Sequence, residues 1–486
     1  MKAKIPDQFF LYAQNFTLES MIQSVIYWSF DVYNDSKSDS NGLFGERTLI
    51  IKNHRVNVPI VQTWLLDMIY DLIIHDRYGV KIITNSECLY LIGLYNDYLN
   101  SKSGSNRKCK NDVLFEVVGF GGEQNRFQGN YYLEEYSRET YILEDVSKRI
   151  NDPKNHFDFE EEFIEEMNIS SLGFSKILLS IFAFYKSNVI GINDDCHSWF
   201  NKLHLNLEDV QKVIDRYSID VSDIRSDVNR RQVLYLKPII HLRDAYYPVN
   251  PFLLQEIFSN SKYWIIRERY QNKNSKKEQS FFVNAFGKMF ESYVGEILQN
   301  CLSDIEYEKI QEVNNAKRAD WKLTLGSYTM LVEQKSSHPV LKIKQNETDA
   351  EAVKEYMKKC WGEAVDQLIA TEQAYNLNHT IKIVLTYDTY FRSEAFDLLF
   401  RLRTDVVNDG FYWLVNIGEF EALMYVYKTD KVLFNAIIAE KINSVNELLK
   451  TGQNLETIIS NHNISSNSYL KEFGIMEKAD EVFDII

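Results

Sequence analysis

The chain has 486 residues, 45% of them hydrophobic and 25% charged, which is enough for two or three domains that each bury a core of their own. An aromatic share of 14%, with 30 Tyr and 29 Phe against 7 Pro, excludes long disordered stretches, because disordered chains are poor in large apolar groups. A formal charge of −15 works against phosphate binding, so any surface that holds nucleic acid has to be locally basic.

The opening Met1-Lys2-Ala3-Lys4-Ile5-Pro6 leads into polar residues, and no later window approaches the length needed to cross a bilayer. A cytoplasmic protein without a membrane partner is expected. Cys88, Cys109, Cys196, Cys301 and Cys360 are scattered, which suggests reduced thiols rather than a disulfide framework or a metal knuckle.

In chain order, apolar residues at helical spacing predict a helix over Asn57 to Tyr78 (Ile60, Trp64, Leu65, Met68, Leu72) and another over Glu87 to Leu99. Ser101 to Asp112 reads as an exposed loop, which also marks a split between two subdomains, and Val113 to Val118 as a strand. The strand ends in Gly119-Phe120-Gly121-Gly122, which lacks the Gly-Lys-Ser/Thr ending of a phosphate loop and reads as a tight turn. Further helices are predicted over Glu160 to Glu166, Phe174 to Tyr185 and Leu207 to Tyr217.

Pro238, Pro248 and Pro251 and the polar run Gln271 to Gln279 place a boundary near residue 280, after a helix-rich recognition or regulatory region. Just before it, Lys262, Arg267, Arg269, Lys273, Lys276 and Lys277 interleave with Tyr263, Trp264 and Tyr270. Cations beside aromatics suit phosphates and stacked bases, although a solvated helix end fits the same residues. Beyond 280 the pattern changes. A helix is predicted at Val283 to Leu298, then strands near Glu306 to Ile310, Ala319 to Leu325 and Tyr328 to Gln334. A long helix at Ala350 to Tyr375, a strand at Ile381 to Tyr387, a helix at Glu394 to Arg403 and a strand at Tyr412 to Ile417 follow. The order αβββαβ with a further αβ implies a small mixed sheet flanked by helices, an α/β (α+β mixed) domain over 281–427. Residues 428–486 form a helical extension with a polar turn at Ser460 to Ser468.

Side chains alternate along a strand, so Glu333 and Lys335 project to one side while Val332 and Gln334 project to the other. Asp320 lies on the preceding strand, and Gly326-Ser327 makes a hairpin turn between them, so pairing brings two carboxylates within reach of one hard cation. Such a cation neutralises a phosphodiester and activates water, with Lys335 orienting or deprotonating that water. Upstream, Gly287 and Gly295 flank Glu291 on one helical stripe, letting that helix lie close to the sheet. Downstream, Gln367 on the long helix is placed to bond a phosphate or a metal-bound water, and Glu363 one turn earlier faces the site or solvent.

These pieces, a GxxxE helix (Gly287, Glu291), Asp320, the Glu333-x-Lys335 strand and the Gln367-Leu368 helix, resemble the PD-(D/E)XK nuclease superfamily over residues 281 to 390. Ala319 stands where the family's name has proline, and Thr371 stands where recombination-type members carry Tyr. The resemblance implies a restriction-endonuclease-like core. It implies Mg²⁺, with Mn²⁺ substituting, held by Asp320, Glu333 and Glu291, a catalytic Lys335, and Gln367 in the site. It also implies double-stranded DNA as substrate, a homodimer for double-strand cutting, and anti-phage defence alongside a partner protein. A catalytically inactive DNA-binding or scaffold protein and a repair or recombination nuclease remain alternatives. Cys196-His197 with His204 fits no zinc spacing, His338 opens a loop or touches substrate, and GxSxG and HExxH motifs are absent.

Overall fold

The computed structural model describes residues 8–35, 43–51, 53–75, 77–102, 131–150, 157–188, 191–226, 233–311, 317–339, 350–388, 390–391, 395–403, 405–446 and 451–484. Within these, helices dominate and three small sheets form, a mixed α/β architecture. No single described helix is long and apolar enough to cross a membrane. The four described cysteines, Cys88, Cys196, Cys301 and Cys360, are buried free thiols.

The first sheet is an antiparallel hairpin of β1 (Phe44–Ile51) and β2 (His54–Val61). Residues 57–61, expected to open a helix, instead end β2, and the helix Gln62–Ile74 starts after them. The two-residue spacing of Val58 and Ile60, both buried against the core, prevails over the helical spacing that Ile60 shares with Trp64. Helices at Asn85–Lys102, Phe159–Met167, Ser171–Asn188 and Leu207–Tyr217 stand where apolar periodicity predicts them. The expected strand at 113–118, the glycine turn at 119–122 and most of the loop at 101–112 lie outside the described residues.

The proline-rich stretch supplies β4 (Ile239–Leu242) and β5 (Ala245–Pro248) of the second sheet, which β3 (Ser218–Asp220) completes from upstream. The helix Pro251–Gln271 follows, its first turn closed by Asn250, whose side chain accepts from the N–H groups of Phe252 and Leu253. The next helix, Lys276–Cys301, opens on a reciprocal cap between Ser275 and Glu278. Position 280 therefore falls inside a helix. Phe282 and Phe286 on it pack against Tyr263 at ring-centroid distances of 5.2 and 4.8 Å, so the core runs on across this point.

The central sheet contains β6 (Tyr307–Lys309), β7 (Trp321–Leu325), β8 (Tyr328–Lys335), β9 (Ile381–Thr386) and β10 (Tyr412–Asn416), in the order β10-β9-β8-β7-β6. Neighbours from β6 to β8 are antiparallel and those from β8 to β10 parallel. Gly326 adopts φ 63° in the two-residue turn that sets Leu325 opposite Tyr328, a left-handed conformation open to glycine.

The sheet has two apolar faces. Val332, Ile383, Leu385, Trp413 and Val415 join the large core shared with the N-terminal region, while Leu331, Val384 and Leu414 join a smaller core under the crossover helices. One crossover runs from Ala350–Tyr356 through a π-helical turn at Met357–Gly362 into Glu363–Ala374, and another is Phe396–Leu402. After β10 the chain forms Ile417–Thr429, Lys431–Asn443 and three short helices. The last of these, Glu477–Phe483, returns to pack on Tyr132–Tyr141 and Ser171–Asn188.

A buried ion pair ties these regions together. Arg138 donates to both carboxylate oxygens of Glu421 at 2.6 and 2.8 Å across 283 residues of sequence, and the Tyr293 hydroxyl donates to the same carboxylate at 2.7 Å.

Candidate active site

Alternation along β8 points Glu333 and Lys335 to the face covered by Glu363–Ala374, together with Leu331. Asp320 immediately precedes β7. Its main-chain N–H donates to the Val332 carbonyl at 3.0 Å and its own carbonyl accepts from Ile310 at 2.9 Å, so both neighbouring strands fix its backbone. Its carboxylate accepts the Gln334 N–H at 2.8 Å, which brings it beside β8.

Asp320 and Glu333 are in direct electrostatic contact, each carboxyl acting on the other. Burial, and then the charge of Asp320, push Glu333 up to about 8, against the opposing pull of Lys335. Burial also raises Asp320, while the Gln334 N–H and Lys335 pull it back and Glu291 adds to the rise. One oxygen of Glu333 accepts from Lys335 Nζ at 2.7 Å; the other, Oε2, is buried with no N–H donor beside it, and the carboxyl, when protonated, bonds Asp320. Ionising both of the crowded acids is costly, and without a cation Glu333 keeps its proton instead. A divalent cation relieves that cost, so the pair fits a hard, oxygen-seeking ion that keeps several waters. Among the described residues no group of three or more His, Cys, Asp or Glu side chains is arranged to hold a metal.

The remaining site residues fall into two groups. Gln367 is brought in: Lys335 Nζ donates to its Oε1 at 3.1 Å, and its own Nε2 donates to the Arg318 carbonyl at 3.2 Å. Glu291 is held by Lys288 at 2.6 Å and by Lys309, and these two lysines outweigh burial and keep its carboxyl below the usual range. It acts on Asp320 through space rather than as a third acid of a metal cluster. Glu363 is exposed, beside Lys317. His338 is buried against the rings of Tyr263, Trp264, Phe286 and Tyr387 and bonded to Asp388 at 2.8 Å, which favours the loop role.

Thr371 is the member of the site that sequence reasoning missed. Its hydroxyl accepts the Ala319 N–H at 2.8 Å and donates to the Gln367 carbonyl at 2.7 Å. Gln367 and Thr371, one helical turn apart, thus clamp the two residues before Asp320. Proline at 319 would lack the N–H that Thr371 grips, which gives the departure at 319 a physical partner at 371.

The basic stretch ahead of the site is largely engaged within the protein. Lys262 is a correction to the groove reading: it is buried, bonded to Thr140 at 3.0 Å and paired with Glu144 at 3.3 Å, because its stem crosses the core. Arg269 is neutralised by Glu162, Glu165 and Glu166 on the Phe159–Met167 helix. Arg267 donates to the Gln279 carbonyl at 2.8 Å, and Lys273 lies 5.9 Å from the Tyr270 ring. Lys276 and Lys277 are exposed in the first turn of their helix.

What the geometry assembles is a buried carboxyl, Glu333, and a half-buried one, Asp320, that perturb each other beside an amine oriented by two oxygen acceptors, where the central strand β8 ends under the Glu363–Ala374 helix. Comparison with protein-family models, curated proteins and solved structures gives no match to this chain, so the site rests on its own chemistry.

Proposed function

We propose that this chain is a divalent-cation-dependent phosphodiesterase with a restriction-endonuclease-like core, cutting DNA in bacterial defence against foreign DNA. The observation that carries the reading is the meeting of Asp320, Glu333, Lys335 and Gln367 from two neighbouring strands and a helix, with the two carboxyls crowded against each other. The strand order, with antiparallel β6-β7-β8 continuing into parallel β8-β9-β10, supports the same fold reading. Asp320 and Glu333 would hold Mg²⁺ or Mn²⁺, which supplies charge neutralisation at the phosphate and an acidified water.

The protein's own groups do the rest. Lys335 Nζ, fixed between Glu333 Oε1 and Gln367 Oε1, keeps an N–H for a water or for the phosphoryl oxygen on which charge builds up. Gln367 holds that amine in place and, with Thr371, fixes the segment that carries Asp320.

The test is metal-dependent nicking of supercoiled plasmid by the parent chain and by Lys335→Ala and Asp320→Asn. Loss of at least ~100-fold in rate is expected for each, the scale of a lost proton-transfer or charge-stabilising group. Equal nicking by parent and variants would remove the enzyme reading and leave a non-catalytic DNA-binding or scaffold role.

A further inference from the structure

Where the chain enters β7, the edge of the active-site face carries an arginine whose charge no described residue neutralises. Lys309, Lys317, Lys322 and Lys335 each pair with a carboxylate, Glu291, Glu363, Glu308 and Glu333 in turn. Arg318 does not. Among the described residues its guanidinium bonds from Nη1 to the Lys317 carbonyl at 3.2 Å, which leaves the Nε and Nη2 edge unused. That edge is the side-on fork with which arginine holds phosphate or carboxylate. In a chain of formal charge −15 it stands two residues from Asp320 and is still not taken by an acid.

The anchor of this side chain is tied to the catalytic amine. A single amide, that of Gln367, accepts from Lys335 Nζ at 3.1 Å and donates to the Arg318 carbonyl at 3.2 Å, while Thr371 holds the N–H of Ala319. Gln367, Thr371 and Tyr375 follow at intervals of four, so they form one stripe that leads outward from Lys335 past the Arg318 backbone. Tyr375 ends the stripe. Its hydroxyl donates to Glu308 Oε1 at 3.2 Å, Lys322 Nζ stands 5.3 Å from its ring centre, and the charge of Arg318 acts on the same hydroxyl. The ring is braced yet 36% exposed. A cationic fork beside an open aromatic ring suits a phosphate and a base of the same strand.

We propose that Arg318 holds a phosphate of the cut DNA strand, next to the scissile one on the side of Tyr375, through its Nε and Nη2 edge. The inference rests on the phosphodiesterase reading and names the contact that sets the strand in register with Asp320 and Lys335.

The test is fluorescence anisotropy of a labelled DNA duplex with the full chain, Ca²⁺ replacing Mg²⁺, over a series of salt concentrations, joined to plasmid-nicking kinetics in Mg²⁺. Arg318→Met should bind at least ~5-fold more weakly, and its plot of log Kd against log salt should be shallower by about one, the share of one phosphate contact. Arg318→Lys should keep the parent slope and regain part of the affinity, since it restores the charge without the fork. In nicking, Arg318→Met should raise KM and keep kcat, the mark of a contact made equally before and at the transition state. Lys471→Met, which removes an exposed charge on the Ser468–Glu472 helix, should match the parent in slope and KM. Parent-like slope and affinity in Arg318→Met, with the parent nicking normally, would overturn the proposal and leave the phosphodiesterase reading standing. A loss of kcat alone would do the same, by making Arg318 a support for Asp320. A parent that neither binds nor nicks DNA would remove both.

Discussion

At the residue scale, Glu333 links sequence to chemistry most directly. Its carboxyl titrates near 8 in the folded chain against 4.5 for a free glutamate, because it is buried beside Asp320. Between those values the folded state keeps a proton that the unfolded state has released. The Glu333 contribution to stability therefore falls as pH rises from about 4.5 to 8, by an amount on the order of a few kcal/mol, and is level outside that window. Urea midpoints at pH 5 and pH 8 should differ for the parent and differ less in Glu333→Gln, the remainder belonging to Glu139 and Glu419, which burial raises to about 8 and about 7; an unchanged difference in that variant would assign the slope elsewhere. Binding of Mg²⁺ at pH 7 should release a proton, seen as a dependence of binding heat on buffer ionisation. Glu333 and Lys335 were legible because strand alternation alone puts them on one side. The fate of Arg269 was not, since the glutamates that neutralise it lie more than a hundred residues upstream and nothing in the local pattern points to them.

At the scale of elements, the helix Glu363–Ala374 does more than cover the sheet. Through Thr371 and Gln367 it holds the strand entrance at 318–319, so a change there should be felt at Asp320. Thr371→Val leaves the buried Ala319 N–H unpaired and should cost ~1–3 kcal/mol in chemical denaturation. Ala319→Pro removes the other half of the same bond. The double variant should therefore be less destabilised than the sum of the two, and simple additivity would show that the bond is not shared. Gly287 gives the opposite sign: a Cβ there would stand 3.5 Å from Ser336 Oγ, an ordinary contact, so Gly287→Ala should stabilise the Lys276–Cys301 helix by up to ~1 kcal/mol, read as a rise in Tm. Apolar periodicity was sufficient to find the elements of the central sheet and several helices, but not the helices Leu18–Asn34, Tyr132–Tyr141 and Pro251–Gln271. It failed at residues 57–61 because Ile60 satisfies both periods, and only the hairpin partner β1 decides between them. The clamp at Thr371 was equally illegible, being a contact between segments 52 residues apart.

At the scale of the whole molecule, one apolar core extends from Phe9 to Val482, and the sheet that carries the site turns one of its two faces into it. Composition anticipated enough apolar residues for several separate cores; that the largest is shared depends on long-range pairing such as Arg138 with Glu421. Arg138→Met would strand the Glu421 carboxylate, fully buried, with Tyr293 as a remaining partner, and should cost ~3–5 kcal/mol by urea denaturation. Adding Glu421→Met should recover much of it, and a double variant no better than the single would show that the charge pair is not the cause. The same clasp sets an order on synthesis. Residue 138 leaves the ribosome long before residue 421, so Arg138 waits without its counter-ion while the strands bearing Asp320 and Glu333 emerge. A nascent chain halted before the Ile417–Thr429 helix would hold every acid and amine of the site yet lack the bolt that fastens its sheet to the rest, and should be inert until that helix arrives.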